Sequence, residues 1–123
     1  MPILTARDAA DLLAPLFADL GGERLAVLHL DRERRVLAVD QHPVGQADEI
    51  VLPLRAIFTA ALGHQAVGMV IAHNHPSGDP RPSRADEAAT RRLAGIADAL
   101  GIALHDHLIF GGECVSFREL GLL

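Results

Sequence analysis

From Val67 to Ala72 no residue carries a polar side chain. A short strand without polar alternation is one that is covered on both faces. This run therefore demands a sheet with other elements packed against it. It is also the run that leads into the chemistry of the chain. It ends in His73-Asn74-His75, then a loop rich in Pro and Gly, then Ser83 and Asp86, in the segment AHNHPSGDPRPSRAD.

The flanking patterns supply the rest of such a sheet. Thr5 can cap a helix, with Asp8 completing a capping box. Leu12, Leu13, Leu16, Phe17 and Leu20 follow at helical spacing, Pro15 bends or divides the helix, and Gly21-Gly22 stops it. Glu23–Asp31 reads as a strand, the RERR segment as a turn, and Val36–Pro43 as its hairpin partner. A loop and a short extended Glu49–Leu52 lead to a helix that opens at Pro53, runs to Leu62 and stops at Gly63. From Ser83 to Leu100 the pattern is helical, with Ala88, Ala89, Leu93, Ile96, Ala97 and Leu100 facing inward. Ile102–Phe110 and Glu113–Phe117 read as strands around a Gly111-Gly112 turn, followed by a short helical tail. The order α-β-β-α-β-α-β-β describes an α/β (α+β) fold, one mixed sheet with helices packed on it. Residues 1–21 form an N-terminal helix and 22–123 the main unit of a single domain.

Composition narrows the function classes. The 123 residues suffice for a core without disulfides. No apolar run approaches the roughly 18 residues of a membrane span, and the acidic MPILTARDAADLL is unlike a signal peptide. The expectation is a soluble, cytoplasmic protein. Cys114 is the single cysteine and reads as a small buried hydrophobe. A net charge of −5 does not suit a duplex DNA binder. Four Phe, with no Tyr or Trp, supply no platform for stacked bases.

Residues i and i+2 of a strand project to the same side. His73 and His75 can therefore aim two imidazoles at one point beyond the sheet. Asp86 falls in the first turn of the next helix, where the dipole favours an acid. A chain turning back through the Gly-Asp-Pro-Arg-Pro loop can bring its carboxylate to the same point. Two His and one carboxylate make a three-ligand zinc shell with a position open for water, an arrangement suited to catalysis. Hydrolysis there needs a base, and a carboxylate that is not itself a ligand fits that task. Spacing alone does not select Glu23, since an acid ahead of an apolar strand is usually solvated. A local reading competes: Ser83 and Asp86 form a capping box by themselves, and Asp86 then binds nothing but backbone. Spacing leaves the metal loop and the capping turn both open. Adjacent His-Asn-His is unlike the dispersed motif of HNH nucleases, and zinc deaminases need H-x-E with P-C-x-x-C.

The set His73-x-His75, ten residues, Asp86, with Ser83 three before it, resembles the JAMM (MPN+, JAB) metallopeptidase family. The form HNHPSGDPRPSRAD is similar to its RadC branch, as are ERLAVLHLD, IVLPLRAIFTAAL, DHLIFGG and VSF. The resemblance covers roughly Gly22 to Leu123. It implies a curved mixed sheet packed with helices, related to cytidine deaminases. It implies Zn2+ on His73, His75 and Asp86, Glu23 as the general base, and Ser83 as donor to an oxyanion. The implied activity is hydrolysis of a peptide or isopeptide bond in a peptide or protein-conjugate substrate. The alternative is a non-catalytic binding or scaffold module associated with DNA repair or other DNA transactions; JAMM relatives that lack the ligand set behave as scaffolds. Full-length RadC proteins usually carry an N-terminal helix-hairpin-helix segment. Here about twenty residues precede the match, which fits a stand-alone or a trimmed domain and weakens a DNA role.

Other residues have plainer readings. His105 and His107 form a second H-x-H, read as a polar strand face near the site. His29, His42 and His64 read as surface or edge residues. Arg81, Arg84, Arg91 and Arg92 read as a solvated face paired with Glu87, or as a cluster receiving a substrate carboxylate or phosphate. Apolar hairpin edges could pair in a homodimer, though nothing in the sequence requires it.

Overall fold

The computed structural model describes residues 2–18, 22–43 and 52–123. Its elements are α1 (Ala6–Leu13), a 3-10 segment (Ala14–Phe17), β1 (Arg24–Leu30), β2 (Val36–Pro43), α2 (Leu54–Gly63), β3 (Gly68–Asn74), α3 (Arg84–Ala99), β4 (Ala103–Phe110) and β5 (Cys114–Ser116). The expected order holds. Loop residues 44–48 and most of the extended segment at Glu49–Leu52 lie outside the described residues, as do Leu20 and Gly21. No helix among the described residues is long and apolar enough to cross a membrane.

The strands form one five-stranded sheet in the order β2-β1-β3-β4-β5. Only β3 and β4 run parallel, joined by α3 as the crossover; the other neighbours are antiparallel. All seven residues of β3 are buried, as its uninterrupted apolar run requires. Its alternate side chains feed two cores. Met69 and Ile71 join Leu25, Val27, Ile57, Leu93 and Ala97 on the face covered by α2 and α3. Val70 and Ala72 join Leu28, Leu108, Ala9, Leu13 and Phe17 on the face covered by α1. His73 continues the α3 side and Asn74 the α1 side.

Local chemistry sets the element ends. The Thr5–Asp8 capping box starts α1, and Pro15 sits in the 3-10 segment that ends the α-helix. In the β1–β2 turn, Asp31 Oδ1 accepts the backbone N–H of Glu33 and of Arg35, each at 2.8 Å.

Several expectations need correction. The buried stripe of α3 is Asp86, Thr90, Leu93 and Ala97; Ala89 and Ile96 are half-buried, and Ala88 and Leu100 are exposed. The apolar pattern misleads because the first two turns face a polar site. Phe117–Gly121 forms turns rather than a helix, closed by Gly121 at φ +77°. His29 is fully buried, since β1 lies between β2 and β3. Cys114 is exposed, on the short edge strand β5. His105 and His107 do not share a face. Register shifts between Met69 and Val70 as Leu104 and Asp106 take successive partners, so His105 is an extra residue. His105 then lines a cavity with Ile3, Ala6 and Val70, while His107 stands opposite Ile71 and faces α3.

Candidate metal centre

Three elements converge at the C-terminal end of β3. His73 is its penultimate residue and is buried; His75 follows it half-buried, and Asp86 is buried in the first turn of α3. His73 Nε2 lies 3.2 Å from His75 Nε2. Asp86 Oδ2 lies 3.1 Å from His75 Nε2, and Asp86 Oδ1 lies 3.5 Å from His73 Nε2. Four-coordinate zinc with bonds of about 2.0–2.1 Å places its ligand atoms about 3.3–3.4 Å apart. Each separation lies near that value, the two Asp86 distances running from different oxygens of its carboxylate, and these residues can hold a metal ion.

The two readings left open by spacing turn out to be compatible. The capping box is formed: Ser83 Oγ accepts the Asp86 N–H at 3.0 Å, and Asp86 Oδ2 accepts the Ser83 N–H at 2.8 Å. The same carboxylate meets both imidazoles. Capping therefore orients Asp86 toward the histidines instead of withdrawing it. Burial works to raise the Asp86 pKa, but the adjacent His73 ring and the contacts from Ser83 outweigh it and hold the carboxyl below the ordinary range.

The loop between β3 and α3 is fixed by its own backbone. The His75 N–H donates to Phe110 O at 2.9 Å, and the Gly112 N–H donates to Gly78 O at 2.7 Å. A Cβ on Gly111 would come 2.7 Å from Gly78 O and 3.0 Å from Pro80 N, so this approach requires glycine. The result places Asp79 O 2.8 Å from His75 Nδ1. Arg81 pairs with Asp79 at 2.7 Å, not with Glu87, and holds the Asp79 carboxyl down at about 2. Arg84, Arg91 and Arg92 are exposed.

Glu23 immediately precedes β1, at the end of the sheet that carries the histidines, since Leu25 stands opposite His73 in the antiparallel β1–β3 pair. Asn74 pins the chain on either side of it. Its Oδ1 accepts the Arg24 N–H at 2.7 Å, and its Nδ2 donates to Gly22 O at 2.9 Å. Ser83 is exposed at the rim.

Sequence reasoning missed two supporting residues, Asn74 and Thr90, and placed a third, His107, near the site without assigning its contacts. His73 Nδ1 lies 2.7 Å from His107 Nε2, and His107 Nδ1 lies 2.6 Å from Thr90 Oγ1. Thr90 could have been found four residues after Asp86, on the same helix face. The separate facings of His105 and His107 could not, because they depend on the bulge.

A second group, His29, Asp40 and His64, also has ligand-like spacing. Its support differs. The proposed ligands His73 and His75 each have a partner on the other ring nitrogen, as metal-bound histidines almost always do. His29 Nδ1 is buried without a partner among the described residues. A buried orphan N–H is costly, so Nε2 carries the proton and donates to Asp40 at 3.0 Å. This group is a hydrogen-bonded tie between β1, β2 and the end of α2.

The model of the RadC-like JAB domain matches residues 3–122. The chain is 40% identical to the UPF0758 protein of Rhodobacter capsulatus, over 99% of this chain and 58% of that protein. It is 40% identical to a UPF0758 protein of Thioalkalivibrio sulfidiphilus, over 94% and 52%. It is 36% identical to one of Methanococcoides burtonii, over 98% and 53%. The chain thus spans about half the length of the curated relatives it matches. With the family match running almost from end to end, this chain belongs to the RadC family as a RadC-like JAB domain.

Proposed function

We propose that this domain is a zinc-dependent hydrolase of peptide or isopeptide bonds. The observation that supports the reading most is the convergence of His73, His75 and Asp86 within the reach of one metal ion. A zinc ion held by these residues would supply a Lewis acid and lower the pKa of bound water to about 7. Glu23 takes a proton from the attacking water and delivers it to the departing amine. The capping box uses Ser83 Oγ as an acceptor, which leaves its hydroxyl hydrogen for the substrate oxyanion. The substrate is a peptide or protein conjugate, and the net charge of −5 argues against duplex DNA.

The test is metal content together with turnover on a panel of peptide and isopeptide substrates. Wild-type protein purified without chelators should carry or take up zinc. Glu23→Gln should keep the zinc and lose about 10²–10⁴-fold in turnover. Wild-type protein that takes up no zinc sinks the proposal. Loss of zinc in Glu23→Gln contradicts the role given to Glu23.

A further inference from the structure

We propose that Thr90 and His107 form a relay that fixes the tautomer of His73, so that its Nε2 presents a lone pair to the metal position. The inference deepens the proposed zinc site and rests on it only for its consequence.

The relay follows from counting hydrogens along one chain of contacts. The Asp86 carbonyl can only accept, so the Thr90 hydroxyl donates to it at 2.7 Å. That spends the one hydrogen of Thr90. Its oxygen must then accept at 2.6 Å from His107 Nδ1–H. His107 is fully buried and stacked on Phe117, and among the described residues its two ring nitrogens meet only His73 and Thr90, with no carboxylate bonded to either, a setting that does not hold a charged ring. It is therefore neutral, and its Nε2 has only a lone pair to offer. His73 Nδ1, 2.7 Å away, must supply the hydrogen. The proton on Nδ1 leaves Nε2 as the lone-pair nitrogen of neutral His73. His75 is set independently, because its Nδ1 can only donate to Asp79 O. Two imidazole lone pairs and a carboxylate then converge within 3.1–3.5 Å. That arrangement is repulsive until a cation occupies it. Thr90 starts this chain on the backbone of Asp86, so the relay ties one proposed ligand to another through residues that touch no metal. They are positioning residues.

The test compares Thr90→Val, which keeps the shape and removes the hydroxyl, with Thr90→Ser, which keeps the hydroxyl and removes a methyl. Two readouts are taken on the full chain. Imidazole 15N shifts of the metal-free protein at pH 8.5 report tautomers, and chelator competition reports zinc affinity. His73 should be the Nδ1–H tautomer in wild type and Thr90→Ser, and should lose that preference in Thr90→Val. Zinc affinity should fall about 10–100-fold in Thr90→Val and stay within about threefold of wild type in Thr90→Ser. A merely structural Thr90 would lose as much with Ser as with Val, and that result overturns the relay. So does an Nε2–H tautomer of His73 in wild type. Wild-type protein with the expected tautomer but no zinc uptake leaves the relay standing and removes the zinc reading.

Discussion

Asn74 sits between two proposed ligands and faces away from them. Its two hydrogen bonds to Gly22 and Arg24 hold the backbone around Glu23. Asn74→Ala removes two hydrogen bonds to part-buried backbone groups, which should cost about 1–3 kcal/mol of stability by urea denaturation. If Glu23 is the base, turnover should fall while zinc content stays at the wild-type level. Loss of zinc along with turnover would tie Asn74 to the ligands instead. Cys114 gives a second residue-scale expectation. Although the residue is exposed on the edge strand, local desolvation of its thiol, with the charges of Asp106 and Glu119 behind it, pushes the thiol up to about 11 from 9.0. At neutral pH it should hold roughly a hundredfold less thiolate than an ordinary cysteine and alkylate correspondingly slowly. Iodoacetamide labelling at pH 7.5 checks this; a rate equal to that of a free thiol contradicts it.

The elements act on the site through their ends. The β3–α3 loop is seated on the Gly111-Gly112 turn, where Gly111 has no room for a side chain because the nearest atoms are backbone. Gly111→Ala should shift this loop and lower zinc affinity about tenfold or more, although it touches no ligand. Unchanged affinity by chelator competition would show that the loop absorbs the methyl. Much at this scale is legible in the sequence. The unbroken apolar run predicts a strand buried on both faces, and the Ser-x-x-Asp cap marks where α3 begins. The facing of His105 and His107 is not legible, because a bulge needs no particular residue to announce it. The buried stripe of α3 is also obscured, since two of its four members are polar and serve the site.

At the scale of the molecule, the sheet brings together residues far apart in sequence. Glu23 and His75 come to the same end of the sheet only through the antiparallel pairing of β1 and β3, which spacing along one chain cannot express. That is why Glu23 came from family resemblance and not from its surroundings. The fold also sets a pH response. Burial lowers the pKa of His29 and His107 from 6.5. The unfolded chain then takes up protons first, so their stabilisation is complete above pH 6.5 and is lost as pH falls below it. For metal-free protein the slope from His107, held well below that value, should approach about 1.4 kcal/mol per pH unit, and His29 adds to it with the same sign. Urea midpoints that stay flat from pH 7.5 to 5 would contradict this.

The central claim is that three donors at the end of β3 hold the metal. It is tested most directly by zinc-edge anomalous diffraction from crystals grown with zinc. The account predicts a peak about 2.0–2.2 Å from His73 Nε2, His75 Nε2 and the Asp86 carboxylate. A peak instead between His29, Asp40 and His64, or no peak at either group, would contradict it.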